Sequence, residues 1–145
     1  MTNAILSLLG DSDRRRDLGE AGRSAVEARY DWSAIGDRLE AIEGELVLAE
    51  QHYATALAAG GNFDDALEAY GRACGIRPDF VEALDSRGIV LTHVGRPDEA
   101  VRCFDKAIAH APRFVPAYLH RGEALRQTGR FDAAAQSYRQ ALELR

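Results

Sequence analysis

Three glycines, Gly61, Gly95 and Gly129, stand 34 residues apart, and the same acid and alanine follow each one: Asp64 and Ala66, Asp98 and Ala100, Asp132 and Ala134. A fixed period of that size requires a small supersecondary unit that buries its apolar face only against its neighbours. The register continues downstream through an aromatic (Tyr70, Phe104, Tyr138) and a second alanine (Ala73, Ala107, Ala141), with Pro78 and Pro112 closing the first two units. Each unit reads as a helical hairpin, and the chain as a solenoid of them.

Each column has a physical reason. Glycine takes the left-handed conformation that ends a helix without steric cost, and the acids after it fall in the next helix's first turn, where the dipole favours them. Small residues in the first helices (Ala54, Gly88, Gly122) and second helices (Ala66, Ala100, Ala134) let two backbones approach, while Tyr70, Phe104 and Tyr138 fill the space beside them. Pro97 sits where a helix's first turn tolerates it.

These residues resemble the tetratricopeptide repeat. The second unit reads Leu84, Arg87-Gly88, Leu91, Ala100, Phe104, Ala107, Pro112; the third reads Tyr118, Arg121-Gly122, Leu125, Ala134, Tyr138, Ala141. The first departs most, with Glu50 in the large-residue position and Tyr53-Ala54 for leucine-glycine, yet Leu57, Ala66, Tyr70, Ala73 and Pro78 match. The resemblance implies an all-α, right-handed α-solenoid of three hairpins (47–80, 81–114 and 115–145), preceded by two or three N-terminal helices.

Residues 1–46 do not follow the repeat, because shifting the register back by one unit puts Trp32 where the second-helix alanine belongs. The segment has an apolar stretch (Ile5, Leu8, Leu9), an Asp11-Ser12-Asp13 cluster able to cap a helix, and a helical run through Leu18, Ala21, Ala25 and Val26. It resembles the C-terminal tail of family-4 glycosyltransferases, which have two Rossmann-like domains. The matching residues are Ala4-Ile5, Leu8-Leu9, Asp11, Arg15, Leu18-Gly19, Arg23, Val26, Tyr30-Asp31-Trp32 and Ile35. In that family the donor-binding residues lie upstream of such a tail, so no catalytic residue carries over. Trp32, Ile35, Leu39, Ile42, Leu46, Ala49, Tyr53 and Ala56 then recur at steps of three and four, the stripe of one amphipathic helix running into the first repeat. Gly36 and Gly44 are the places where it would bend.

A formal charge of -5 argues against a nucleic-acid partner, which needs a basic stripe to displace counterions. The basic run Arg14-Arg15-Arg16 is flanked by Asp11, Asp13, Asp17 and Glu20 and reads as a solvated helix face. No apolar run is long enough for a membrane span, and the N-terminus lacks a secretory leader, so the expectation is a cytoplasmic protein. Cys74 and Cys103 lack metal-ligand spacing and read as small buried side chains rather than a disulfide or a metal pair. No cofactor is expected.

No catalytic constellation emerges: His52, His93, His110 and His120 show no paired ligand spacing, and Gly60-Gly61 joins two helices instead of following a strand. What remains is surface recognition. In a stacked helix-pair solenoid the first helices line the groove, placing His52, Thr55, Asp85, Ser86, Ile89, His93, Leu119, His120, Glu123 and Gln127 toward a ligand. Taken singly, each is more ordinary as a solvated side chain than as a hot spot. The basic and asparagine pattern by which some tetratricopeptide repeats clamp a C-terminal carboxylate is absent, since those positions hold Gln51, Thr55, Ser86, Pro116 and His120. The expected function is a non-catalytic module binding a protein or peptide partner. The alternative is the rear of a glycosyltransferase whose catalytic domains lie upstream. Because the last repeat ends at Ala141, Leu142 and Leu144 with no polar capping helix, Leu125, Tyr138 and Leu142 are expected to stay accessible. That patch implies homodimerisation through the C-terminal helix, or a longer parent chain.

Overall fold

Gly61, Gly95 and Gly129 adopt φ of 82°, 77° and 73°, and among the described residues they alone have positive φ. Each ends a helix in a Schellman motif. At the middle one, the Arg96 amide donates to the Leu91 carbonyl at 2.8 Å and the Gly95 amide to the Thr92 carbonyl at 3.3 Å. A computed structural model of the chain describes residues 12–29 and 32–144.

The helices are α1 (Ser12–Arg29), α2 (Trp32–Ala59), α3 (Phe63–Ile76), α4 (Val81–His93), α5 (Pro97–His110), α6 (Val115–Gln127) and α7 (Phe131–Glu143). Successive pairs α2/α3, α4/α5 and α6/α7 are the hairpins of an all-α solenoid. The second helices start with Asp64 and Asp65, with Asp98 and Glu99, and with Asp132 in their first turns. None of the three N-cap residues, Asn62, Arg96 and Arg130, makes a side-chain cap, so the acids in the first turn supply the favourable charge at these helix ends.

Two compact units divide the chain, Met1–Ile42 and Glu43–Arg145. In the first, α1 carries an Arg16 to Asp13 ion pair at 3.1 Å, both side chains exposed, as expected of a solvated face. The apolar stretch Ile5, Leu8 and Leu9 lies outside the described residues, as do Ala4, Asp11, Tyr30 and Asp31 of the glycosyltransferase resemblance.

In the second unit a core runs through Val47, Ala54, Ala66, Tyr70, Ala73, Phe80, Ala83, Leu91, Ala100 and Phe104. Phe104 is fully buried, which stabilises by about 1.5–3 kcal/mol. It sits against Gly88: a Cβ there would lie 2.5 Å from the Phe104 ring. Gly122 and Tyr138 repeat the arrangement at the same 2.5 Å. The small residue and the aromatic are therefore one packing device.

Two expectations fail. α2 is a single helix through Gly36 and Gly44, but its predicted stripe is not its buried face: Ile35, Leu39, Ile42, Leu46 and Tyr53 are all exposed. Val47 and Ala54 are the fully buried residues, two turns apart on the face that α2 turns to α3, where Glu50 reaches Arg72 and Thr55 reaches Tyr70. At the last hairpin, Leu125 is buried rather than accessible, since α6 turns it inward with Ala124 and Gly122. Leu142 is 67% exposed and Tyr138 is half-buried.

Candidate functional site

The first helices α4 and α6 lie one repeat apart, and a cleft of about 230 Å³ opens between them over the Phe104 ring of α5. Its lining is Ile89, Thr92 and His93 from α4, and His120, Glu123 and Gln127 from α6. The positions follow from helical periodicity, since residues three and four apart share one face.

Two ring contacts fix the histidines. The His93 ring lies 4.8 Å from the Phe63 ring of the preceding repeat, tilted by 55°. His120 lies 5.9 Å from Phe104, and its Nδ1 is 2.8 Å from Oδ1 of Asp85. Asp85 is thus not a groove side chain as the sequence predicts. It is 7% exposed and satisfied by the histidine of the next first helix, because a carboxylate this buried requires a partner.

On the rim, Arg126 forks onto Glu123 with bonds of 2.9 and 2.6 Å, and Gln127 Nε2 and the Tyr138 hydroxyl donate to the same carboxylate at 3.4 and 3.5 Å. The Arg126 bond, more than the others, holds the Glu123 carboxyl below its ordinary value. Burial, then Glu123, pushes the Tyr138 phenol up. The rim therefore presents an ionised acid whose charge is partly spent.

Ile89, His93, His120, Glu123 and Gln127 thus meet in one place. His52 and Thr55 lie on α2, where the Thr55 hydroxyl donates to the Gln51 carbonyl at 2.8 Å and meets the Tyr70 hydroxyl at 3.0 Å. Ser86, half-buried, and Leu119, 37% exposed, do not line the cleft. Sequence reasoning missed Thr92 and Phe104. Phe104 fits its column as a core filler, and nothing in the pattern marks that one edge of the ring also floors a cleft. The Thr92 hydroxyl donates to the Gly88 carbonyl at 2.9 Å, so it offers the cleft no free nucleophile.

Cys74 and Cys103 are free thiols lining a second cleft. Burial pushes both thiols up, outweighing Arg87 and Lys106, so neither is an activated nucleophile. Among the described residues no group of three or more His, Cys, Asp or Glu is placed to hold a metal, and no helix is long and apolar enough to cross a membrane.

The geometry has counterparts. Residues 87–145 match the family described as Tetratricopeptide repeat. Among solved structures, the second TPR of Spaghetti (RPAP3), bound to the HSP90 peptide SRMEEVD, superposes with a TM-score of 0.66 at 20% identity, over 69% of this chain and 93% of that one. The TPR domain of Arabidopsis OM64 gives 0.68 at 24% identity, covering 70% and 84%. MamA gives 0.66 at 26% identity, covering 68% and 57%. No curated protein matches the sequence. The sequence match thus covers residues 87–145, and the fold of the chain is like the all-α solenoid of tetratricopeptide-repeat structures.

Proposed function

We propose that this chain is a non-catalytic, cytoplasmic interaction module that binds a peptide segment of a partner protein between α4 and α6. The observation that carries the reading is the cleft itself: the exposed Ile89 side chain, backed by the buried Phe104 ring, inside a rim of His93, His120, Glu123 and Gln127. That combination suits one apolar anchor side chain flanked by backbone groups that the rim can hydrogen-bond. Solenoid neighbours that hold the HSP90 peptide SRMEEVD support the mode of binding. They do not supply the ligand, because the positions that would clamp a C-terminal carboxylate hold Gln51, Thr55, Ser86, Pro116 and His120 here. Selection of random peptides displayed on phage tests the proposal. Recovered peptides should share an apolar anchor, bind in the micromolar range and lose binding to Ile89→Asp, while SRMEEVD should not compete. Enriched peptides indifferent to Ile89→Asp would refute it.

A second reading concerns self-association. Phe131 and Leu142 of α7 are each 67% exposed, and this apolar pair supports a homodimer through the last helix. The glycosyltransferase alternative rests on the N-terminal motif, and an open reading frame encoding Rossmann-like domains ahead of Met1 would support it.

A further inference from the structure

The repeat symmetry places Arg87 and Arg121 in equivalent positions, and their surroundings differ. Arg121 is saturated. Its guanidinium donates to the Asp105 carboxylate and to Gln140 Oε1 at 2.9 Å each and to the Ser137 hydroxyl at 3.1 Å, and it covers the Tyr118 ring at 5.4 Å. One repeat earlier, each polar partner is replaced. Gly71 stands for Asp105, Lys106 for Gln140, and Cys103 for Ser137.

The consequence is visible in the packing. Arg87 makes no ion pair among the described residues, and its Nε is buried with no hydrogen-bond acceptor. A buried guanidinium nitrogen left in this way keeps its desolvation cost without a compensating bond, so the site is incomplete by itself. Where Asp105 and Gln140 close the later site, an open cleft of about 440 Å³ remains here, lined by Arg87, Glu99, Arg102, Lys106 and His110 together with the two thiols. It lies between α3, α4 and α5, with neither Ile89 nor His120 in its lining, so it is distinct from the peptide cleft.

The charge of the missing partner follows from the same comparison. In the later repeat a single carboxylate faces the arginine, and the flanking positions are the neutral Gln136 and Gln140. Here those positions are Arg102 and Lys106. Glu99 is the acid in the lining; it is forked to Arg96 at 2.6 and 2.9 Å, and Arg102 stands 3.9 Å from the same carboxylate. Arg87, Arg102 and Lys106 thus share the cleft with one carboxylate whose short fork is to Arg96 and whose contact with Arg102 is long and exposed, which leaves an excess of positive charge there within a chain whose overall charge is -5. An arginine fork reads the oxygens of a phosphate or a carboxylate, and the extra cations select the more highly charged of the two.

We propose that the cleft between α3, α4 and α5 is an anion site in which Arg87, Arg102 and Lys106 bind a phosphate-class dianion in the place that Asp105 fills in the next repeat. The dianion belongs either to a free phosphate compound or to a phosphorylated side chain. Both present the same oxygens.

The test is titration of the full chain with inorganic pyrophosphate and, separately, with a phosphoserine peptide, followed by amide chemical shifts at constant ionic strength. Saturable shifts centred on Arg87 and Cys103 are expected with either probe. The tighter-binding probe identifies the source of the phosphate. Two variants make the assignment specific. Gly71→Asp restores the carboxylate of the later repeat, and a Cβ at Gly71 meets nothing within 4 Å, so this variant folds and loses at least about tenfold in affinity. Lys106→Gln, an exposed change, weakens binding by about the same factor. Absence of saturable shifts with both probes, or equal affinity in the parent and Gly71→Asp, overturns the proposal.

Discussion

Replacing Gly88 by alanine isolates the packing device on which the repeat depends. In an ordinary helix interior the change is favourable, by about 0.5–1 kcal/mol, because alanine loses less backbone freedom on folding. At Gly88 the new Cβ would lie 2.5, 2.6 and 3.0 Å from three carbons of Phe104, against the roughly 3.5–4.0 Å at which carbon atoms rest. Phe104 cannot swing away, being 0% exposed in the centre of the core. Relief requires an off-rotamer ring or displacement of α5, which together cost about 1–3 kcal/mol or more. Steric cost therefore exceeds propensity gain, with a net loss of about 1 kcal/mol and a fall in melting temperature of about 4–8 °C for a unit of this size. Gly71→Ala is the control: it is also helical, but a Cβ there meets nothing within 4 Å, so it leaves stability equal or slightly raised. Phe104→Leu combined with Gly88→Ala should lose less than the two single changes summed, because the smaller side chain vacates the clash. Urea denaturation followed by circular dichroism measures the parent and the four variants, Phe104→Leu alone included. A Gly88→Ala protein as stable as Gly71→Ala would show that α4 and α5 do not meet through this pair.

Gly95→Ala forces a side chain into φ 77° and should cost about 1–2 kcal/mol in the same assay; an unchanged midpoint would refute the left-handed turn. Cys74 and Cys103 should react slowly with a disulfide reagent at neutral pH, speeding up as pH rises and on unfolding, since burial raises both thiols; rates equal to those of the denatured chain would contradict that burial. Glu123 has a folded value below its ordinary 4.5, so its ion pair with Arg126 contributes above that pH and is lost as pH falls through the depressed value. The melting temperatures of the parent and Glu123→Gln should accordingly differ slightly at neutral pH and converge in acid, and a constant gap would mean the carboxylate has no special environment. If the exposed α7 pair mediates a homodimer, sedimentation should show concentration-dependent mass that Leu142→Glu abolishes; a monomer at every concentration would remove that reading.

Periodic positions were legible in the sequence, and positions defined by what a neighbour lacks were not. Glycines at φ near 75°, alanines at close approaches and aromatics facing Gly88 and Gly122 all follow from columns that repeat every 34 residues, because each answers a steric demand that recurs in each hairpin. The face of α2 was misjudged for the opposite reason. Ile35, Leu39, Ile42 and Leu46 give a strong apolar period, yet spacing alone does not say which face meets a neighbour, and the face turned to α3 carries Val47, Glu50 and Ala54 instead. Asp85 was misplaced because its partner, His120, lies 35 residues away on the next first helix, beyond any local pattern. Helical spacing did collect Ile89 and His93 with His120, Glu123 and Gln127, because a groove built from equivalent helices inherits their period.

Both candidate surfaces draw on the middle hairpin. α4 supplies Ile89, Thr92 and His93 to one cleft and Leu84, Arg87 and Leu91 to the other, while α5 supplies Phe104 to the first and Glu99, Arg102, Cys103, Lys106 and His110 to the second. In a solenoid, stability comes from nearest-neighbour contacts, so a hairpin packed on both sides is held more firmly than one packed on a single side. Recognition placed there is preorganised, and binding need not order the site first. Arg87 and Gly88 are adjacent on α4, one facing the anion cleft and the other resting on the ring that floors the peptide cleft. A ligand that satisfies the buried Arg87 Nε stabilises the packed form of α4 against α5, and that form holds Phe104 in place. Coupling between the clefts, if filling one changes the other, is reciprocal by linkage: any affinity gained at one cleft on filling the other must be returned in equal measure.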